Sequence, residues 1–495
     1  MNSTPLSTLE PGMRLIVGGN RVVLVPPAIA ERFRPGDSLV HSDATDELMH
    51  IPAAETRIAD AAVTDALSAF QAMRRVNDAQ INHFYLGFAQ RLASEPIWSR
   101  ILEANHIDVE DARRRERSTT RLVATERLRQ GMIEGLRGWA GLSSTRGRVI
   151  ETVEHAGWAV DLIAAELGVV AFVFEGRPNV LADATGVLKG GNTVVFRIGR
   201  DALRTASCIM EAALTPALVE AGLPDGAVRL VQSSEHAAGW ALFCDRRLSL
   251  AVARGSGRAV AALGSLARQA GIPVSLHGTG GAWIVASAQT AVPDLERAVT
   301  LSLDRKVCNT LNVCCIPRRQ AEWLVPAFLR GLAKAGERRQ QAFKLHVVAG
   351  DETEWTRELF SRVVSVVRAE GPHDEPQAES LDENELGREW EWEETPEVTL
   401  KLVDDLEHAV RLFNAYSPKF VASLISSDAA EQRRFFELVN APFVGDGHTR
   451  WVDGQLALRR PELGLSNWEY GRLLARGGVL SGDGIFTVRT RARKL

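Results

Sequence analysis

Between Leu167 and Gly278 short apolar runs take turns with stretches of helical spacing, and this alternation limits the possible folds more than any other feature of the chain. The runs are LGVVAFVF, NTVVFRI, VRLVQ, LSLAVA and PVSLHG; the segments between them read as helices through the 180s, from Ala202 to Ala221, near 236 to 243 and from Gly257 to Ala270. The first run, Leu167 to Phe174, contains no polar residue, the pattern of a strand covered on both faces. Parallel neighbours need long crossovers, and helical crossovers cover the sheet. A doubly wound α/β sheet is therefore predicted.

A second alternating block begins near Trp283, with a helix from Asp294 to Leu303, a strand in NVCCIP and a helix from Ala321 to Ala335. Upstream, residues 14 to 51 read as a small β unit with a hairpin at RLIV-GGN-RVVLV. From Asp60 to Trp139 the spacing is helical, and DARRRERSTTRL reads as a solvated helix face. The acidic segment from Arg368 to Glu397 reads as an exposed excursion because it is poor in aliphatic residues. The closing IFTVRTRARK has strand propensity and no neighbour in sequence to pair with, which predicts pairing with another subunit.

Lys plus Arg number 58 against 62 Asp plus Glu, so there is no broad basic surface for nucleic acid or anionic lipid. Five cysteines in 495 residues, none at zinc-ligand spacing, predict neither a disulfide framework nor a metal site, and point to a reducing compartment. The start MNSTPLSTLEPGMR lacks the basic and apolar parts of a signal peptide, and the longest uncharged run, between Arg268 and Asp294, is broken by Pro and Gly. The expectation is a cytoplasmic protein without a membrane partner. Walker A loops, Gly-x-Ser-x-Gly elbows and His-Glu-x-x-His helices are absent from the sequence.

A cysteine nucleophile acts as its thiolate, and at an ordinary pKa near 8.5 only about 3% is ionised at pH 7, so positive charge is needed nearby. Cys308 follows Arg305 and Lys306 in a turn between a helix and a strand, which makes it the best placed of the five thiols. Cys314 and Cys315 fall inside an apolar strand, while Cys208 and Cys244 lie on helices, where a small buried side chain is the default. Spacing alone leaves the nucleophile open.

The string from Val169 to Arg197, VVAFVFEGRPNVLADATGVLKGGNTVVFR, resembles the glutamate-5-semialdehyde dehydrogenase (γ-glutamyl phosphate reductase) family of the aldehyde dehydrogenase superfamily, with its Arg-Pro-Asn-Val at residues 177 to 180. ILEANHIDVEDAR from Ile101 is similar to that family's N-terminal helical stretch, ARGSG from Ala253 to its Arg-Gly-Gly turn, and CNT from Cys308 to the segment around its catalytic cysteine. Thr449, Arg450, Asp453 and Gly454 keep Thr-Arg-x-x-Asp-Gly, and Ala475, Arg476 and Gly477 keep Ala-Arg-Gly. Departures are Arg-Lys-Val before Cys308, Leu474 before Ala-Arg-Gly, and the missing Asn in GDGHTRW.

The resemblance implies an α/β, aldehyde dehydrogenase-like fold: an N-terminal β extension over 1–55 that it does not explain, an NADP-binding domain over 56–280, a catalytic domain over 281–455, and a return to the cofactor domain over 456–495. A β flap at about 148–166 and the C-terminal strand would make a homodimer or tetramer. The implied reaction reduces an acyl phosphate, γ-glutamyl phosphate first among candidates, with NADPH through a thioester on Cys308, with Asn179 as oxyanion donor. Arg197, Gly199 and Arg200 would meet the adenosine ribose, the two guanidinium groups favouring NADP over NAD, while Gly255 and Ser256 would meet the pyrophosphate. Arg177, Thr449 and Arg450 would contact the substrate.

Hydrolytic aldehyde dehydrogenases carry a water-activating Glu where this chain reads SLHGTGGAW; His277 beside that position reads as a structural histidine on a glycine-rich turn. Two other readings stay open at this point. One is an acyl-CoA or carrier-protein thioester reductase on the same scaffold, the other a non-catalytic homologue serving as a binding or assembly partner.

Overall fold

The structure is a computed structural model that describes residues 5–452 except 118, 120, 121, 175, 369 and 370, together with 468–469, 472–473 and 482–495. Two hairpins open the chain: β1 (Arg14–Val17) with β2 (Arg21–Leu24), and β3 (Ser38–Ser42) with β4 (Glu47–Ile51). Helices α1 (Ala53–Met73), α2 (Asp78–Ala93), α3 (Glu95–Arg114) and α4 (Glu126–Gly141) follow. In α3 the ILEANHIDVEDAR stretch supplies two buried staples. Asn105 donates to the Leu122 carbonyl at 2.9 Å and accepts from the Ala124 N–H at 2.8 Å; Asp108 accepts the Thr205 N–H at 2.8 Å and its hydroxyl at 2.7 Å. These bonds satisfy polar groups that would otherwise be costly to bury.

β5 (Val149–His155) and β6 (Trp158–Ala165) form an antiparallel ribbon that the C-terminal strand Thr487–Lys494 completes by pairing with β6 over its whole length. The tail, which has no neighbour in sequence to pair with, thus pairs along one side within its own chain. Asp161 on β6, 3% exposed, receives Arg491 at 2.9 Å and Arg493 at 3.0 Å.

Five strands, β7 (Val169–Phe174), β8 (Thr193–Ile198), β9 (Val228–Leu230), β10 (Leu250–Arg254) and β11 (Val274–His277), form a parallel sheet in the order β11-β10-β7-β8-β9. Alternate residues serve opposite faces: Val170, Phe172, Val194 and Phe196 join a core with α2 to α4, while Val169, Ala171, Val173 and Val195 join another with α1. The segment Arg200–Glu220 is apolar enough to cross a bilayer, yet Ile209, Leu214 and Leu218 are buried in the first core. The chain winds outward from β7 to β9 and then restarts at β10 on the other side, so the loops after β7 and β10 flank a crevice at the topological switch point.

The second sheet has seven parallel strands in the order β17-β14-β18-β13-β12-β19-β20: β12 (Ala282–Ala286), β13 (Leu311–Pro317), β14 (Lys344–Val348), β17 (Ala378–Leu381), β18 (Glu397–Val403), β19 (Val421–Ile425) and β20 (Phe443–Gly445), with β15 (Val363–Arg368) and β16 (Gly371–Pro376) as a hairpin beside it. The acidic segment is therefore no exposed excursion. Its β17 edges the sheet, Trp390 and Trp392 are buried, and its carboxylates are paired: Arg368 at its start lies 2.7 Å from both Glu375 and Glu397, and Lys344 from β14 lies 2.7 Å from Glu379. Arg368 in particular, with Lys344 behind it, holds the Glu375 carboxyl down to about 2. Counting charges along the sequence misses such pairings.

Candidate active site

Cys308 sits in the turn that joins a helix, Val292–Leu301, to β13. Thr310 fixes that turn: its Oγ1 accepts the Val307 N–H at 2.9 Å and donates to the Arg305 carbonyl at 2.7 Å. Asn309 points the other way, donating to the Val452 carbonyl at 2.9 Å. Cys308 is partly exposed, and its neighbours include the aromatic cluster of Phe420, Phe443 and Trp451. Desolvation by these surroundings pushes the thiol above its ordinary pKa; Arg177, Lys306 and Arg450 pull it down and Glu389 pushes it up.

The glycine-rich stretch after β11 passes directly behind the cysteine. Gly281 donates to the Cys308 carbonyl at 2.7 Å, and a Cβ at Gly280 would lie 2.6 Å from Cys308 Cα. Only glycine fits so close a backbone approach without displacement. A carboxylate reaches this loop from the acidic segment: Glu389 accepts the Gly280 N–H at 2.5 Å through Oε2 and the Lys306 ammonium at 2.5 Å through Oε1. Both side chains are largely buried. Sequence reasoning missed this residue, since nothing local distinguishes Glu389 from its acidic neighbours.

The charge of Arg177, in the Arg-Pro-Asn-Val turn after β7, lowers the pKa of both Cys308 and His277. Asn179, half-buried on that turn, donates one amide hydrogen to Asp183 Oδ2 at 2.8 Å, which orients the group and leaves a second hydrogen for another acceptor. His277 packs edge-on to Phe420, 4.7 Å between centroids, and burial first, with Arg254 and Arg177 behind it, drives its pKa well below the ordinary value. Its Nε2 is buried without a hydrogen-bond partner among the described residues.

At the crevice, Gly199 donates to the Phe174 carbonyl at 3.0 Å and ties the end of β8 to that of β7. Arg197 is 5% exposed and donates to the Glu235 carbonyl at 3.0 Å, so of the two arginines expected at the ribose Arg200 is the exposed one. Gly255 and Ser256 open the helix Gly257–Gln269, and Gly278 packs against its start, where a Cβ would come 2.8 Å from Gly257 Cα. Small residues, a helix N-terminus and a rim cation suit the phosphates of a dinucleotide. Next to Arg200 stands Asp201, which the reading from sequence passed over; it pairs with Arg115 at 2.9 Å and Arg117 at 3.5 Å, so these two arginines of the predicted solvated face have a partner.

Thr449 is fully buried and donates to the Asn309 carbonyl at 2.7 Å; Arg450 binds Asp304 at 2.6 Å and also Asn309. Both brace the cysteine turn through Asn309. Asp453, Gly454, Leu474, Ala475, Arg476 and Gly477 lie outside the described residues.

A cysteine turn and a switch-point crevice on paired parallel sheets define an oxidoreductase of the aldehyde dehydrogenase type, and the chain belongs to the aldehyde dehydrogenase family, whose model matches residues 37–337. The fold implies a nicotinamide cofactor. Among curated relatives the chain is similar to the γ-glutamyl phosphate reductases of Halothermothrix orenii, 26% identical over 76% of this chain and 84% of that one, and of Brucella anthropi, 28% identical over 77% and 83%. Among solved structures it superimposes on γ-glutamyl phosphate reductase from Thermotoga maritima with a TM-score of 0.73 at 22% identity, covering 88% of this chain and 98% of that one. An acetylating aldehyde dehydrogenase from Geobacillus thermoglucosidasius gives 0.63 at 13% identity over 89% and 97%. The structural likenesses concern the fold.

Proposed function

We propose that the protein reduces an acyl phosphate to the aldehyde with NADPH through a thioester on Cys308, with γ-glutamyl phosphate as the leading substrate. The observation that carries this reading is the engagement of both Glu389 oxygens, by Gly280 and Lys306. A carboxylate so held is a poor base for water, which favours phosphate over hydroxide as the acyl group's other partner. The names of the curated relatives agree with it.

In this reading the Cys308 sulfur attacks the acyl carbon and the C–O bond to phosphate breaks. Arg177, whose charge draws the thiol pKa down, stabilises the thiolate and receives the departing dianion. Asn179 offers its second amide hydrogen to the oxyanion, with its orientation set by Asp183. A nicotinamide dinucleotide, when bound in the crevice, supplies the hydride. His277 stays neutral and, with Phe420, fills one wall of the site. The exposed edge of β5, with Val149, Ile150 and Val153 outward, is proposed as the assembly surface of a homo-oligomer.

The test runs the reaction backward: NADP reduction by glutamate semialdehyde in the presence of phosphate. Phosphate-dependent turnover that Cys308→Ser abolishes while NADP binding persists is the expected result. Turnover that needs coenzyme A instead of phosphate, or that survives Cys308→Ser, overturns the reading.

A further inference from the structure

An acidic residue just past the second strand of a dinucleotide-binding sheet ordinarily accepts the ribose 2′-hydroxyl, and by the same charge repels a 2′-phosphate. Asp201 holds that position, immediately after β8, and its Cβ stands 3.8 Å from where a Cβ on Gly176 would be, against the loop after β7. Its carboxylate is not left to the ribose. Arg115 Nη1 lies 2.9 Å from Oδ1 and Arg117 Nε 3.5 Å from Oδ2, both from the turn that follows α3. Arg200 is exposed beside them, and Arg204, one turn on, lies 3.8 Å from Asp108 of the same helix. Two guanidinium groups thus engage one carboxylate that stands against the loop after β7.

We propose that Arg115 and Arg117 make this crevice selective for a dinucleotide carrying a 2′-phosphate, by neutralising Asp201 and, with Arg200, presenting guanidinium groups to the phosphate. The inference rests on the proposed NADP dependence and names the residues that would decide it. Helix α3 belongs to neither parallel sheet, so the selectivity would be set from outside the strand-and-turn unit that binds the rest of the cofactor. The contact keeps its geometry because Asn105 and Asp108 bolt α3 to the loop at 122–124 and to Thr205.

The experiment is equilibrium binding of NADP⁺ and of NAD⁺, each titrated into the resting full-length protein by calorimetry without substrate. Arg115 and Arg117 are 35% and 66% exposed, so the double variant Arg115→Ala, Arg117→Ala removes little packing. It should weaken NADP⁺ by about tenfold or more, as expected for lost charge-assisted bonds, and leave NAD⁺ as tight or tighter. Equal weakening of both cofactors would mark a merely structural role. A wild-type preference for NADP⁺ that survives in the variant overturns this inference alone, whereas a wild-type preference for NAD⁺ overturns it together with the NADP reading.

Discussion

Lys306 and Glu389 form a buried ion pair, 2.5 Å between Nζ and Oε1, two residues before the candidate nucleophile. The same carboxylate holds the Gly280 N–H, so one side chain ties the cysteine turn to the glycine loop behind it. Removing one partner of a buried pair leaves the other charge uncompensated, and here each charge acts on the Cys308 sulfur.

Alkylation of Cys308 by iodoacetamide should therefore be slow at neutral pH and accelerate as the pH rises, since burial holds the thiol above its ordinary value. Glu389→Gln removes the charge that raises it and should speed alkylation at pH 7, of order tenfold for a shift of one unit. Lys306→Met should slow it. Shifts in the same direction in the two variants would show that the pair does not set the reactivity of the thiol.

Gly280→Ala tests the backbone approach. The added Cβ would meet Cys308 Cα at 2.6 Å and its carbonyl oxygen at 2.8 Å, so the cysteine turn has to move. A displacement near 1 Å at a reacting centre costs roughly 100-fold in rate. The variant should lose about that factor in kcat while binding the dinucleotide as before. Wild-type turnover would mean that the turn yields without consequence.

What could be read from sequence and what could not divides along the range of the interactions. The strand from Val169 to Phe174 is legible because burial on both faces makes it apolar throughout, a purely local signature. Cys308 stands out because Arg305 and Lys306 precede it. Glu389 does not, since its meaning comes from Gly280 and Lys306, far away in sequence. Asp201 escapes notice for the same reason, its partners being in the turn after α3. Thr449 and Arg450 carry a recognisable pattern, but a pattern of residue types does not say that both side chains hold Asn309.

His277 gives a prediction for stability. Its folded pKa lies well below the unfolded value of about 6.5, so the unfolded chain binds more protons as the pH falls through 6.5. The contribution of the neutral ring is fully present above that pH and is lost on acidification toward the folded pKa. Denaturation midpoints measured between pH 8 and 5 should fall, and His277→Gln should flatten part of that slope. A variant with the wild-type slope would assign the acid sensitivity to other groups.

Asp161 works in the opposite charge sense at the far end of the chain. Arg491 first, then Thr152 and Arg493, hold its carboxyl down to about 2, well under its ordinary 3.8. The stability this adds to the docked C-terminal strand is present above the unfolded value near 4 and is lost only as the pH falls toward 2. The strand should therefore stay paired with β6 through the mildly acidic range. Asp161→Asn removes the charge that gathers both arginines, and the expected result is faster hydrogen exchange across Thr487–Lys494, with the exchange of β7 and β8 unchanged because the core around them does not depend on the ribbon. Unchanged exchange in the strand would show that its backbone ladder to β6 suffices without the ion pairs.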